Sequence, residues 1–256
     1  MVEPNLRPTS SRADAFAGQV VLVTGSSSGI GAATARLFAS LGATVVINSA
    51  TSVAAGEALA AELPGAGYVQ ADIAREEQAR HLIDEVVRQH GRLDVLVNNA
   101  GTTEVIPHHD LEAASPEVWR RIFDVNVVGT WQVTVAAVDH LRSSGRGQVV
   151  NVSSRAGERP TGSSIPDACS KAALSHMPRL LANTLAPAVR VNAVAPGLVD
   201  TPWTSEWTDL RELVSALAPL QRTATPEDVA EVILGLALST YVTGEVILVD
   251  GGLALR

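Results

Sequence analysis

From Val20 onward, short β-branched runs alternate with amphipathic stretches, and this alternation restricts the fold more than any other feature of the chain. The runs are Val20–Val23, Thr44–Ile47, Tyr68–Ala71, Leu93–Val97, Gln148–Val152, Val189–Ala193 and Glu245–Val249. Between them lie helical patterns over Gly29–Leu41, Ser52–Leu63, Arg75–His90, Ser115–Arg142, Pro166–Leu185 and Pro226–Ser239. Strands that are apolar on both faces need cover on both faces, and a crossover helix after each strand supplies it. The expectation is a single α/β domain over 18–256, a Rossmann-type doubly wound seven-stranded parallel sheet with helices on both faces. Met1 to about Ala17 is polar and contains Pro, Ser and Arg, so it reads as a flexible N-terminal tail and not a secretory leader.

Composition excludes several function classes. A net charge of −8 leaves no basic stripe to neutralise phosphates, which argues against a nucleic-acid partner. Cys169 is the single cysteine, so neither a disulfide framework nor a thiolate metal site is available. No apolar run reaches the length of a membrane span, and a cytoplasmic location is expected. The 46% hydrophobic content is enough to fill a core.

The first run leads into Thr24-Gly25-Ser26-Ser27-Ser28-Gly29-Ile30-Gly31 and then directly into a helix. Glycines after the first strand of a βαβ unit let the backbone turn tightly beside a pyrophosphate, while the helix N-terminus faces its charge. Gly25, Ser27, Ser28, Gly29, Ile30 and Gly31 are therefore candidate dinucleotide ligands. The second strand ends in Ile47-Asn48-Ser49-Ala50-Thr51-Ser52, with neither a carboxylate for a free 2′-hydroxyl nor an arginine for a 2′-phosphate. Ser49 and Thr51 can donate to a phosphate that no acid repels, which favours NADP(H) over NAD(H). A serine-rich turn closing the strand accounts for the same residues. Asp72 and Ile73 end the third strand at the adenine side, and Asn98-Asn99-Ala100-Gly101 ends the fourth.

These motifs, followed by Asn126, Ser154, Lys171 and Pro196-Gly197, occur in the order found in the short-chain dehydrogenase/reductase family, which the chain resembles from about Gly18 to Gly252. The resemblance implies a sheet order of 3-2-1-4-5-6-7 and assembly as a homotetramer or homodimer. It implies that Asn126 holds a water in a proton relay, that Ser154 hydrogen-bonds the substrate oxygen and that Lys171 binds the nicotinamide ribose. Asn99, Ala100, Gly101, Pro196, Gly197, Leu198, Val199 and Thr201 would complete the cofactor site.

The chain departs from the family at one point. The family's general acid is a tyrosine four residues before the lysine, and here that residue is Asp167. Ser164-Ile165-Pro166-Asp167 also reads as a capped helix start, so capping alone accounts for an acid there. A lysine lowers a phenol from about 10 toward neutrality, but pushes a carboxylate, already near about 4, further away. Asp167 is thus expected as an anion, a poor proton donor to a carbonyl and a good neighbour for a cation. The reading is an NAD(P)(H)-dependent oxidoreductase with a Ser154–Asp167–Lys171–Asn126 site that favours imines over simple ketones. A non-redox dehydratase, isomerase or cyclase on the same scaffold, or a silent dinucleotide-binding relative, remains open.

On the substrate side, His108, His109 and Glu104 lie in the loop Thr102–Asp110 as alternative proton donors, although a solvated surface loop is the better account of them. Their spacing holds no metal. The family resemblance implies a substrate lid over residues 202–219, where Trp203 and Trp207, four apart on one helical face, either cover an apolar substrate or pack the lid on the body. Trp119 and Trp131 are expected in the core or at a subunit interface.

Overall fold

The computed structural model describes residues 14–256. Seven parallel strands run in the order β3-β2-β1-β4-β5-β6-β7: β1 Val20–Val23, β2 Thr44–Ser49, β3 Gly67–Gln70, β4 Val95–Asn98, β5 Gly147–Val152, β6 Val189–Pro196 and β7 Val246–Val249. The helices are α1 Gly29–Ser40, α2 Val53–Glu62, α3 Glu76–His90, α4 Pro116–Phe123, α5 Thr130–Ser143, α6 Ile165–Leu185, α7 Thr208–Leu217 and α8 Pro226–Leu238. The single doubly wound parallel sheet expected from the alternation is the one observed.

Strand residues alternate between two apolar cores. On one face Val21, Val23, Val45 and Ile47 pack under Phe38 of α1 and Ile233 of α8. On the other, Val20, Leu22, Val46 and Leu96 meet Leu82 of α3, Leu141 of α5 and Leu181 of α6. Right-handed crossovers in both directions from β1 leave a crevice where the strand order reverses, between β1 and β4.

Four details differ from expectation. Residues 1–13 of the anticipated tail lie outside the described residues, but its last part is folded: Phe16 is 2% exposed, its N–H donates to Leu41 O at 2.9 Å, and its ring meets Phe38 edge-on. The folded body therefore begins before Ala17. The helix anticipated over Ser115–Arg142 is α4 and α5 joined by a π-helical segment, Asp124–Gly129, which contains Asn126. Wider π turns shift side-chain register at one place in a helix. The lid stretch holds a helix of its own, α7. Last, β7 is an edge strand covered only in part, with Ile247 and Leu248 exposed.

Candidate active site

Seen from the C-terminal ends of the strands, the site starts at the glycine loop after β1. Gly25 has φ +61°, and a β-carbon there would lie 2.7 Å from Ala100 Cα, so the β1 and β4 turns touch backbone to backbone. A β-carbon on Gly31 would meet Asn99 Nδ2 and Gly25 O, both at 2.6 Å, so α1 presses directly on the loop. Asn99 fastens the turn by donating to Thr24 O at 3.0 Å and Gly25 O at 2.9 Å. Thr24 Oγ1 accepts from the N–H groups of Asn99 and Ala100. Ser26 and Asn48 tie the loop to β2, with Asn48 N donating to Ser26 Oγ at 3.0 Å and Asn48 Oδ1 accepting from Gly25 N. These bonds leave the first turn of α1 open, with Ser28 at its N-cap making no side-chain cap.

One cavity of about 1250 Å³ extends from this loop in both directions. Toward β2 it is walled by Asn48, Ser49, Ala50, Thr51 and Ser52, and then by Asp72 and Ile73. Ser49 Oγ lies 2.9 Å from Tyr68 Oη. In the other direction the cavity reaches Ser154, Asp167 and Lys171, and closes under Trp203 and Trp207.

At the chemical end, β5 delivers Ser153 and Ser154 and α6 delivers Asp167 and Lys171. Ser153 Oγ donates to Lys171 O at 2.8 Å and pairs with Ser175 Oγ at 2.9 Å, which fixes α6 against the strand end. Ser154 Oγ accepts from Ala156 N at 3.1 Å, so its own proton is available to the cavity. Lys171 Nζ donates to Val152 O at 3.3 Å. Burial pushes this ammonium below its ordinary range, and the Asp167 carboxylate opposes that shift through space. Asp167 is 8% exposed; its N–H donates to Ser164 Oγ at 3.4 Å, and its Oδ2 accepts from Ser163 Oγ at 3.0 Å. Helix capping thus uses the Ser164 hydroxyl, while the Asp167 carboxylate is drawn to Ser163. The two tyrosines of the chain lie elsewhere: Tyr68 on β3 beside Ser49, Tyr241 fully exposed.

A family profile described as Enoyl-(Acyl carrier protein) reductase matches residues 25–254. A Streptomyces violaceoruber protein named as a ketoacyl reductase of the granaticin polyketide synthase is 60% identical, over 93% of this chain and 97% of its own. The cis-4-hydroxycyclohexanecarboxylate dehydrogenase of Sinomonas cyclohexanicum is 40% identical, over 93% of this chain and 98% of its own. A solved short-chain dehydrogenase/reductase of Brucella melitensis, titled glucose/ribitol dehydrogenase, superposes with TM-score 0.87 at 30% identity, covering 93% of this chain and 97% of its own. The chain belongs to the short-chain dehydrogenase/reductase family. It is an NAD(P)-dependent oxidoreductase, and a cradle whose two glycines exclude any β-carbon, facing an open helix N-terminus, fits a nicotinamide dinucleotide.

Within this short-chain dehydrogenase/reductase, Gly25, Ser27, Ser28, Gly29, Ile30, Ser49, Thr51, Asp72, Ile73, Asn99, Ala100, Gly101, Pro196, Gly197, Leu198, Val199 and Thr201 all face the one cavity, as do Ser154, Asp167, Lys171, His108, Trp203 and Trp207. Four expected residues do not. Gly31 lies behind the loop as a packing contact. Asn126 is fully buried: its amide oxygen accepts from Thr102 N at 2.7 Å, and its NH2 donates to Thr102 O at 3.0 Å and Ser170 Oγ at 2.9 Å. His109 is exposed beyond the rim, and Glu104 is turned away into an ion pair with Arg121. Trp203 and Trp207 share the cavity but not a helix, since Trp203 sits in a 3-10 turn and Trp207 is the N-cap of α7. Trp119 is half-buried near Phe123, and Trp131 is 46% exposed, so it is not a core residue. Thr103 and Ser163 also line the cavity, and nothing local in the sequence marked them. No group of three or more metal-ligating side chains occurs among the described residues.

Proposed function

We propose that this enzyme uses NADP(H) to reduce an iminium-type carbon–nitrogen double bond in an apolar substrate, through a Ser154–Asp167–Lys171–Asn126 site. What supports the reading is Asp167, a nearly buried acid lining the cavity four residues before Lys171, where the resemblance to the family implies a phenol. When bound, the dinucleotide supplies hydride. Hydride addition to an iminium carbon yields a neutral amine, and the electron pair of the broken π bond stays on nitrogen, so no proton is required from the protein. Asp167 would favour the protonated form of the imine and orient its N–H. Ser154 offers a hydrogen-bond donor beside it, and Lys171 would hold the nicotinamide ribose. Asn126 would act by fixing the turn at Gly101 and Thr102. Residues 202–219 would form the lid, with Trp203 and Trp207 covering the substrate.

The ribose wall at Ser49–Ser52 contains no carboxylate to repel a 2′-phosphate, which supports NADP(H) over NAD(H). Self-association as a homotetramer or homodimer is supported by Val128, Trp131 and Val135, all exposed, on the π segment and α5.

A second reading is favoured by the relative named as a polyketide ketoacyl reductase: reduction of a ketone, with the proton supplied by Ser154 or His108. NADPH absorbance with 2-methyl-1-pyrroline and with a panel of cyclic and β-keto ester ketones separates the two. Faster turnover of the imine is expected. Exclusive ketone turnover establishes the second reading, and no turnover of either class with NADPH or NADH overturns both.

A further inference from the structure

We infer that Thr103 and Ser163 are positioning residues that commit Asp167 to accepting a hydrogen bond from the substrate, so that the site selects a ligand carrying a cationic N–H. This rests on the reading of Asp167 as the residue in the acid's place.

The helix starts of α6 and α8 share a pattern but use it differently. Thr225-Pro226-Glu227-Asp228 closes fully: Asp228 N donates to Thr225 Oγ1, and Asp228 Oδ2 accepts from Thr225 N at 2.7 Å. Ser164-Ile165-Pro166-Asp167 makes only the first of these bonds, Asp167 N to Ser164 Oγ. Its carboxylate instead receives Ser163 Oγ at 3.0 Å. An acid that could have completed its own cap is thus held toward the cavity.

The direction of the proton chain follows from valence. Thr103 Oγ1 lies 2.5 Å from Ser163 Oγ. A hydroxyl has one proton and an ionised carboxylate has none. Ser163 spends its proton on Asp167, so the 2.5 Å contact takes the proton of Thr103, for which Glu104 O, at 3.4 Å, is the more distant acceptor. The sequence Thr103 to Ser163 to Asp167 ends in an acceptor that lines the cavity, and its second oxygen, Oδ1, receives no hydrogen bond among the described residues. Backbone contacts hold the chain in place: Ile106 N donates to Ser163 O at 2.8 Å, and Asn126 grips Thr102 on both sides. A ligand group offering only lone pairs, such as a ketone oxygen, finds no donor at Oδ1. A protonated amine or iminium completes the shell.

The test reads binding, not turnover, so that it stands apart from the proposed reaction. Protonated 1,2,3,4-tetrahydroisoquinoline and its carbocyclic counterpart tetralin are titrated calorimetrically into the NADP+-saturated full-length protein and into Ser163→Ala, Ser163→Thr and Asp167→Asn. The amine is expected to bind at least about 10-fold more tightly than tetralin to the unmodified protein, as suits a charge-assisted bond. Ser163→Ala should weaken the amine about 3- to 10-fold and leave tetralin unchanged. Ser163→Thr should restore the amine, because it keeps the hydroxyl, and Asp167→Asn should abolish the preference. Equal binding of the two probes, no binding of the amine, or a Ser163→Ala profile matching the parent overturns the inference. Amine selectivity without imine turnover would remove the proposed reaction and leave this assignment standing. Imine turnover without amine selectivity would do the reverse.

Discussion

Substituting Gly25→Ala places a methyl group where two turns already meet. The residue sits at φ +61°, in the left-handed region where an L-residue costs about 1–2 kcal/mol. The new β-carbon would lie 2.7 Å from Ala100 Cα and 3.1 Å from Ala100 N, both backbone atoms that cannot rotate away. Overpacking of this kind typically costs about 1–3 kcal/mol, so the loss of stability should come to about 2–5 kcal/mol. For a domain of this size each kcal/mol moves Tm by about 2–4 °C, which gives a drop of about 4–20 °C. The relief the chain can find is to separate the β1 and β4 turns, which widens the cradle expected to hold the pyrophosphate. Thermal unfolding followed by circular dichroism, with and without NADPH, checks both parts: a lower Tm, and loss of the ligand's stabilising increment. A Tm within about 1 °C of the parent together with an unchanged NADPH affinity would refute the close approach on which the cofactor site is built.

Lys171→Met should leave the ligand-free protein at least as stable at neutral pH. Burial lowers the folded-state pKa below the unfolded one, so the penalty is fully present below the folded value and fades as pH rises toward about 10.4. The same variant should lose about 100-fold or more in turnover, measured beside urea denaturation. Asp228→Ala should cost about 1–2 kcal/mol at pH 7 through the lost capping box. Contact with Arg222 holds the Asp228 carboxyl well below the usual carboxylate range, so the difference from the parent should persist above about pH 4 and shrink as pH falls toward 2; a pH-independent difference would contradict this. Trp131→Glu, at an exposed position on α5, should shift the protein to a smaller species in light scattering without lowering its Tm by more than about 2 °C.

What could be read in the sequence was what is local. Val20–Val23 followed by Gly25 and Gly29 announces a strand, a tight turn and a helix within a few residues, and the sheet followed from repeating that unit. Asp167 and Lys171 were legible because four residues on a helix make one turn. Tertiary contacts were not. The sequence did not show that the Asn126 side chain bonds the backbone of Thr102 and the hydroxyl of Ser170, nor that Glu104 pairs with Arg121. Phe16 was hidden in a polar stretch, and only the pocket formed with Phe38 explains its burial. Thr103 and Ser163 are ordinary loop hydroxyls in sequence, and the bond that gives them a role joins residues sixty positions apart.

On the proposed reading, an anion at position 167 turns a ketone-reducing layout toward cationic substrates. The most direct measurement is the ratio of kcat/KM for 2-methyl-1-pyrroline over that for its carbocyclic analogue 2-methylcyclopentanone, with NADPH, in the parent enzyme and in Asp167→Tyr. The ratio is expected above one in the parent and about 100-fold lower in the variant, as a phenol tuned by Lys171 supplies the missing proton. A parent enzyme that reduces the ketone as fast as the imine, or a ratio unmoved by the tyrosine, would contradict it.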